Sequence, residues 1–377
     1  MQPSVSPATP VVNADAQFAD VLGKDEYLGM KRALMGRPRT LPSFGVLAMM
    51  TALGGLGLWL AERSWPEFVL SQLLLAVFFF QGFALLHECG HSTASPVPWV
   101  NVVIGHIAGA VCFLPFYPWR LIHQQHHLWA GNLERDPVLA GIRRWRAAGE
   151  IPAIVRWAWR RWIPLLAVVQ HLVFLTYPLR LPRGTKAERR QIGRCAISVL
   201  LNVVVYGSLI ALAGRHLHPR HFVLALLIYL AAEELVNLPH HVGAPVTNGR
   251  LSPWQQWLPT RSCRYPRGLS EFLVLNFNFH IEHHVFPFLP WYRLRRARHL
   301  LRQSLGAAYQ EEVGIAWALR NRARPLDAVI EPARVFSSEQ PLTLADVAPR
   351  PSALAGDQSA HESPRTKARV RATAVQA

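Results

Sequence analysis

The chain has 377 residues, 51% of them hydrophobic, with 13 Trp, 17 Phe and a mean hydropathy of +0.13, more apolar than a soluble domain of this size needs. Forty Lys and Arg against 23 Asp and Glu leave a net charge of +17. That surplus (Arg143-Arg144, Arg160-Arg161, Arg189-Arg190, Arg293 to Arg298) flanks apolar segments and accompanies no nucleic-acid fold, so anionic lipid and an acidic partner protein are its expected counterparts and nucleic acid is not.

In chain order, residues 1–20 are rich in Ala, Pro, Ser and Val and lack the basic start and apolar core of a signal peptide. Leu41–Ala61 and Phe68–Leu86 follow, both free of charge and close to the roughly 20 apolar residues that cross a bilayer. At the exit of the second lies His87-Glu-Cys-Gly-His91. Val100–Pro118 is apolar but interrupted by His106 and Pro115, and reads as an interfacial or re-entrant helix. His123-Gln-Gln-His126-His127 comes next, then a second interfacial stretch, Trp162–Pro178. Two further spans are predicted at Cys195–Gly214 and Phe222–Pro239, the latter apolar until Glu233 and Glu234. Asn237-Leu-Pro-His240-His241 closes it, and His280-Ile-Glu-His283-His284 lies beyond. Residues 335–377 are polar and rich in Pro, Ala and Ser, the composition of a disordered tail.

The three histidine clusters carry the chemistry. On a helix, positions three and four apart share a face, so each cluster aims two or three imidazoles at one point. Eight imidazoles exceed the four ligands of one tetrahedral zinc and suit two ions of higher coordination number. Ligand type alone leaves zinc, copper, iron and nickel open. The short connections after the first and third spans make two helical hairpins, which return every cluster to one side of the membrane. That side also carries most of the Lys and Arg, so it is expected to be cytoplasmic. The expected fold is all-α and integral to the membrane, with four transmembrane helices in two hairpins and a cytoplasmic helical cap bearing the clusters.

The clusters, the run His126-His127-Leu-Trp-Ala-Gly-Asn-Leu-Glu-Arg-Asp-Pro and the run Asn278-Phe-His280-Ile-Glu-His-His284-Val-Phe-Pro-Phe-Leu-Pro-Trp-Tyr292 resemble the membrane fatty-acid desaturases. Their superfamily also includes carotenoid hydroxylases and ketolases and alkane hydroxylases. The resemblance covers roughly residues 40–305. It implies a non-haem centre of two iron ions cycling between Fe2+ and Fe3+, O2 as co-substrate, and oxidation of an unactivated C–H bond. Zinc has no redox chemistry to offer such a reaction. The ligands it implies are His87, His91, His123, His126, His127, His280, His283 and His284.

Asn237 and His241 are similar to the Asn-x-x-x-His element of acyl-CoA desaturases, which makes His241 a ninth ligand and puts Asn237 near one iron, through water. His240 is the alternative, because Pro239 disturbs the helix there. Asp136, Glu234, Glu88 and Glu282 are candidates to orient the ligating rings from behind. His106, His171, His216, His218, His221, His299 and His361 are expected to stay out of the site.

The expected substrate is an acyl lipid or acyl thioester, and the expected location a bacterial inner membrane with the active site facing the cytoplasm. Electrons must come from a separate carrier such as ferredoxin or cytochrome b5. The scattered Cys89, Cys112, Cys195 and Cys263 form no iron–sulfur motif, and neither a fused haem signature nor a dinucleotide-binding glycine loop is present. The expected organisation is an N-terminal segment at 1–38, a desaturase domain at 39–325 and a disordered tail at 326–377. A carotenoid or alkane hydroxylase or ketolase is the nearest alternative. A metal transporter is the alternative of another class, disfavoured because the spans carry no histidine within their interiors.

Overall fold

The computed structural model describes residues 11–13, 21–216, 220–332 and 335–337. Expectations for residues 1–10 and 14–20, for the side chains of His216, His218 and His361, and for the tail beyond residue 337 lie outside them.

Helix α1 (Lys24–Leu34) packs against the later helix Leu294–Leu305, and four long helices follow among the described residues: α2 (Thr40–Leu60), α3 (Trp65–Gly90), α9 (Lys186–His216) and α10 (Arg220–His241). These four are long and apolar enough to cross a membrane, in agreement with the four predicted spans. α3 starts sharply because Ser64 and Glu67 form a reciprocal capping box beside Pro66. Gly57 lets α2 and α3 close together: a Cβ there would stand 2.8 Å from Leu75 Cγ. Buried Gln72 ties α3 to α10 at the far end, donating to the His221 carbonyl (2.9 Å) and accepting from the Ala225 amide (3.0 Å).

The stretch read as interfacial is a bent pair, α4 (Pro98–Val111) and α5 (Phe116–Trp129), meeting at 101°. The physical cause is local. Phe113 takes a left-handed φ of 63°, Pro115 precedes α5, and Gly109 lets the Leu114 carbonyl fold back where a Cβ would stand 2.4 Å away. Counted as one broken span, the pair would make a fifth crossing; by length and composition the number is four or five. Short helices α6 (Ala140–Ala148), α7 (Ala153–Arg160) and α8 (Leu165–Leu175) then lead back to α9.

After α10 come α11 (His280–Val285), α12 (Leu294–Leu305), α13 (Gly314–Arg322) and α14 (Leu326–Ile330). One apolar core joins α3, α4, α5 and α10; another packs α1, α11 and α12 around Trp257 and Phe286. Two departures from the expected fold are visible. Short parallel pairings occur, β1 (Val11–Asn13) and β2 (Val246–Thr247) on β5 (Val335–Ser337), and β3 (Ser262–Arg264) on β4 (Glu311–Val313). The segment after residue 325 begins with an ordered helix, because Leu326, Val329 and Ile330 bury against Ile151, Val155 and Trp159.

A candidate two-metal centre of imidazoles

α3 runs past its apolar stretch to deliver His87 and His91 on successive turns, 4.9 Å apart between ring centroids. α5 delivers His123, His126 and His127, the end of α10 delivers His241, and α11 delivers His280, His283 and His284. α11 is aimed by a constrained approach. Leu275 and Asn276 both take left-handed φ values, 47° and 54°. A branched side chain in that region costs about 1–3 kcal/mol. A buried net offsets it, in which the Ser270 hydroxyl meets Asn276 (2.9 Å) and Asn278 (2.8 Å), and the Asn278 amide donates to the Cys263 carbonyl (2.7 Å).

The nine rings sort into two groups. In one, His87, His91, His123 and His283 bring their ring nitrogens within 4.8 Å of one another. His127 joins them, its Nε2 3.1 Å from that of His123 and 2.9 Å from that of His283. In the other, His126, His241, His280 and His284 do the same within 4.8 Å. His241 Nε2 lies 2.9 Å from His280 Nε2 and 3.2 Å from His126 Nε2. His240 does not take part: its ring stacks flat on His280 at 4.1 Å and belongs to neither group.

The donor set fits two cations. His241 Nδ1 is 3.0 Å from the Pro259 carbonyl, which only accepts, and His126 Nδ1 is 2.9 Å from the Asp136 carboxylate. Each Nδ1 therefore carries the proton, and two Nε2 lone pairs face each other across 3.2 Å. Such an arrangement is repulsive until a cation lies among the lone pairs. Burial also keeps several of the rings in the neutral, ligating form. It pulls His91 down to about 3, with Arg120 and His126 adding to the effect, and lowers His123, His127, His280, His283 and His284 well below the usual range, neighbouring imidazoles adding to the shift. His87, His126, His280, His283 and His284 are buried, while His91, His123, His127 and His241 keep a partly exposed edge, so the site opens on one side.

Around the rings the carboxylates are occupied. Asp136, 1% exposed, accepts from the Gly131 and Val138 amides (2.9 Å each) besides His126. Glu88 accepts from Thr93 (2.8 Å) and the Trp291 amide (3.1 Å), tying the end of α3 to the loop after α11, with its other oxygen 3.9 Å from His87 Nδ1. Glu282 turns away and accepts from Ser262 (2.7 Å) and Tyr309, and burial raises its carboxyl. One proposed position needs correction. Glu234 does not reach the imidazoles, because a buried ion pair with Arg322 and the Ala167 amide (3.0 Å) claim its carboxylate. The Asn237 side chain donates to the Glu233 carbonyl one turn back (2.9 Å), which ties its amide nitrogen to its own helix.

Other participants were not anticipated. Trp119 stacks on His123 at 4.5 Å and 22°, a pairing that its i−4 position on the same helix could have signalled. Gly90 makes room for it, since a Cβ there would be 2.4 Å from the indole. Phe277 stands edge-on to His87 at 4.9 Å and 5.3 Å from His280, and no sequence pattern announces it.

Fold and site together define an integral-membrane protein with a multi-histidine centre at the ends of its long helices. The chain belongs to the fatty acid desaturase family, whose profile matches residues 63–314, and it is an oxidoreductase. It is 28% identical over 311 residues to an sn-1 oleoyl-lipid 12-desaturase of Arthrospira platensis, covering 78% of this chain and 84% of that one. It is 26% identical over 269 residues to an acyl-lipid omega-3 desaturase (cytochrome b5) of the Arabidopsis thaliana endoplasmic reticulum, covering 66% of each. It is 25% identical over 263 residues to an sn-1 acyl-lipid omega-3 desaturase (ferredoxin) of a Synechocystis strain, covering 66% of this chain and 70% of that one.

Proposed function

We propose that the protein is an O2-dependent acyl-lipid desaturase with two iron ions. His87, His91, His123, His127 and His283 hold one ion, and His126, His241, His280 and His284 hold the other. The observation that carries this is the convergence of nine imidazoles, from four elements distant in the chain, into two groups with facing lone pairs. The overall reaction is R–CH2–CH2–R′ + O2 + 2 e− + 2 H+ → R–CH=CH–R′ + 2 H2O. When bound, the iron pair supplies the redox chemistry that activates O2 for removing hydrogen from two adjacent methylenes.

The chain's own residues do the rest. Asp136 and the Pro259 carbonyl hold His126 and His241 in the tautomer that presents Nε2. Trp119 and Phe277 wall the rings with apolar surface and keep water from the reacting region. Glu88 fixes the α3 end against the loop that follows α11, keeping the two halves of the first group in register. Electrons come from a separate ferredoxin or cytochrome b5, and the centre faces the cytoplasm of a bacterial inner membrane.

The test is mass spectrometry of host lipids with and without the gene, alongside iron analysis of the purified protein. New double bonds and iron near two per chain are expected. Oxygenated lipids would make the protein a hydroxylase, and one zinc per chain without product would end the proposal.

A further inference from the structure

A cavity of about 450 Å³ opens between α5 and α9, outside the histidine centre. Arg120, Arg190 and Arg194 line it with Gln124, Gln191 and Tyr117, and no carboxylate does. Among the described residues none of the three guanidiniums has an ion-pair partner. Arg120 reaches only the Ser92 hydroxyl (3.4 Å) and the Phe116 ring, and Arg194 lies 5.9 Å from the Tyr117 ring centroid. Elsewhere buried or half-buried arginines such as Arg298 and Arg322 are paired with Glu311 and Glu234. Three unpaired cations around one cavity leave a strong positive potential that an anion neutralises.

Position narrows the anion. Arg190 and Arg194 occupy the last polar turns of α9 before the uncharged run that starts at Cys195, the depth at which a crossing helix meets lipid headgroups. The wall is braced, since the Tyr117 amide donates to Ser198 (3.3 Å), locking α5 onto α9. α5 itself joins cavity and centre. Arg120, Leu121 and Gln124 face the cavity, His123, His126 and His127 supply both imidazole groups, and Ser92, held by Arg120, follows His91 directly.

We propose that this cavity holds the anionic phosphodiester headgroup of the acyl-lipid substrate, so that the enzyme selects lipids by charge as well as by chain. The inference rests on the acyl-lipid desaturase reading. Arginine matches phosphate oxygens with paired donors, and the glutamines and Tyr117 can meet the remaining headgroup hydroxyls.

Iron-loaded enzyme with reduced ferredoxin, in bilayer discs of phosphatidylglycerol or of uncharged galactosyl diacylglycerol carrying the same acyl chains, provides the test. Wild type is expected to favour phosphatidylglycerol. Substituting both exposed arginines, Arg190→Gln with Arg194→Gln, is expected to lower that preference roughly tenfold through KM, with iron content and kcat retained. Arg160→Gln, an exposed arginine outside the cavity, should leave the preference unchanged. An unchanged ratio in the double variant overturns the proposal, and a rise in KM for ferredoxin in its place assigns the surface to the donor. Inorganic phosphate competing as strongly as short-chain phosphatidylglycerol assigns the cavity to a free anion and overturns it too. If wild type desaturates neither lipid, the desaturase reading itself fails, a result distinct from desaturation without headgroup preference.

Discussion

α11 and α9 stand at opposite extremes of how this chain uses its surroundings. All six residues of α11 are buried, and its approach is fixed by Ser262, Ser270, Asn276, Asn278 and Glu282 through hydrogen bonds between side chains and to the backbone. α9 turns Ile197, Leu200, Val203, Val204 and Ile210 outward, and its polar ties to other helices among the described residues are few: Ser198 to His106 (3.0 Å) and to the Tyr117 amide (3.3 Å), and Tyr206 to the Ala110 carbonyl. α9 presents exposed apolar surface, whereas surrounding protein fixes α11. Placement of ligands to a fraction of an ångström requires competing hydrogen bonds and tight packing, whereas a span requires only apolar length.

This contrast can be broken from the α11 side most strongly. Alanine at His126 or His283 is expected to cut product formation by more than about 100-fold, with iron content falling in parallel; unaltered product at either position would defeat the ligand assignment. Asp136→Asn keeps the shape but replaces one of the two accepting oxygens with an NH2 that cannot accept, and so weakens the hold on the His126 tautomer. Iron affinity should drop by about 10–100-fold in chelator competition while the helical circular dichroism signal is retained. Gly90→Val drives a side chain into Trp119 and is expected to cost about 1–3 kcal/mol, read as a lowered thermal midpoint in detergent.

Acid should separate the two regions as well. Below the usual histidine value of 6.5 an unfolded chain binds protons that folded His91, held near 3, does not. His91 therefore contributes stability to the metal-free protein that is full above about pH 6.5 and is lost steadily as pH falls from there toward 3. His123, His127, His280, His283 and His284 act in the same direction. An apo midpoint equal at pH 7.5 and 5.5 would contradict this. The smallest effect belongs to α9: Leu200→Ala, on its outward face, should stay within about 0.5 kcal/mol of wild type.

Much of this was written locally. A span is a property of about twenty consecutive residues, and a histidine cluster is a property of one helical turn, so the four long helices and the eight boxed imidazoles were readable before any packing was known. What depends on distant partners was not. The choice of His241 over His240 turns on the Pro259 carbonyl and on His126, 115 residues away. Glu234 looked available until Arg322, 88 residues later, claimed it. The division of the rings into five and four, the wall made by Phe277, and the helix at Leu326–Ile330 all arise where separate elements meet. Hydrophobic runs and helical spacing are short-range consequences of covalent order. Which nitrogen faces which, and which charge is already neutralised, is settled only when side chains far apart in the chain compete for the same few ångströms.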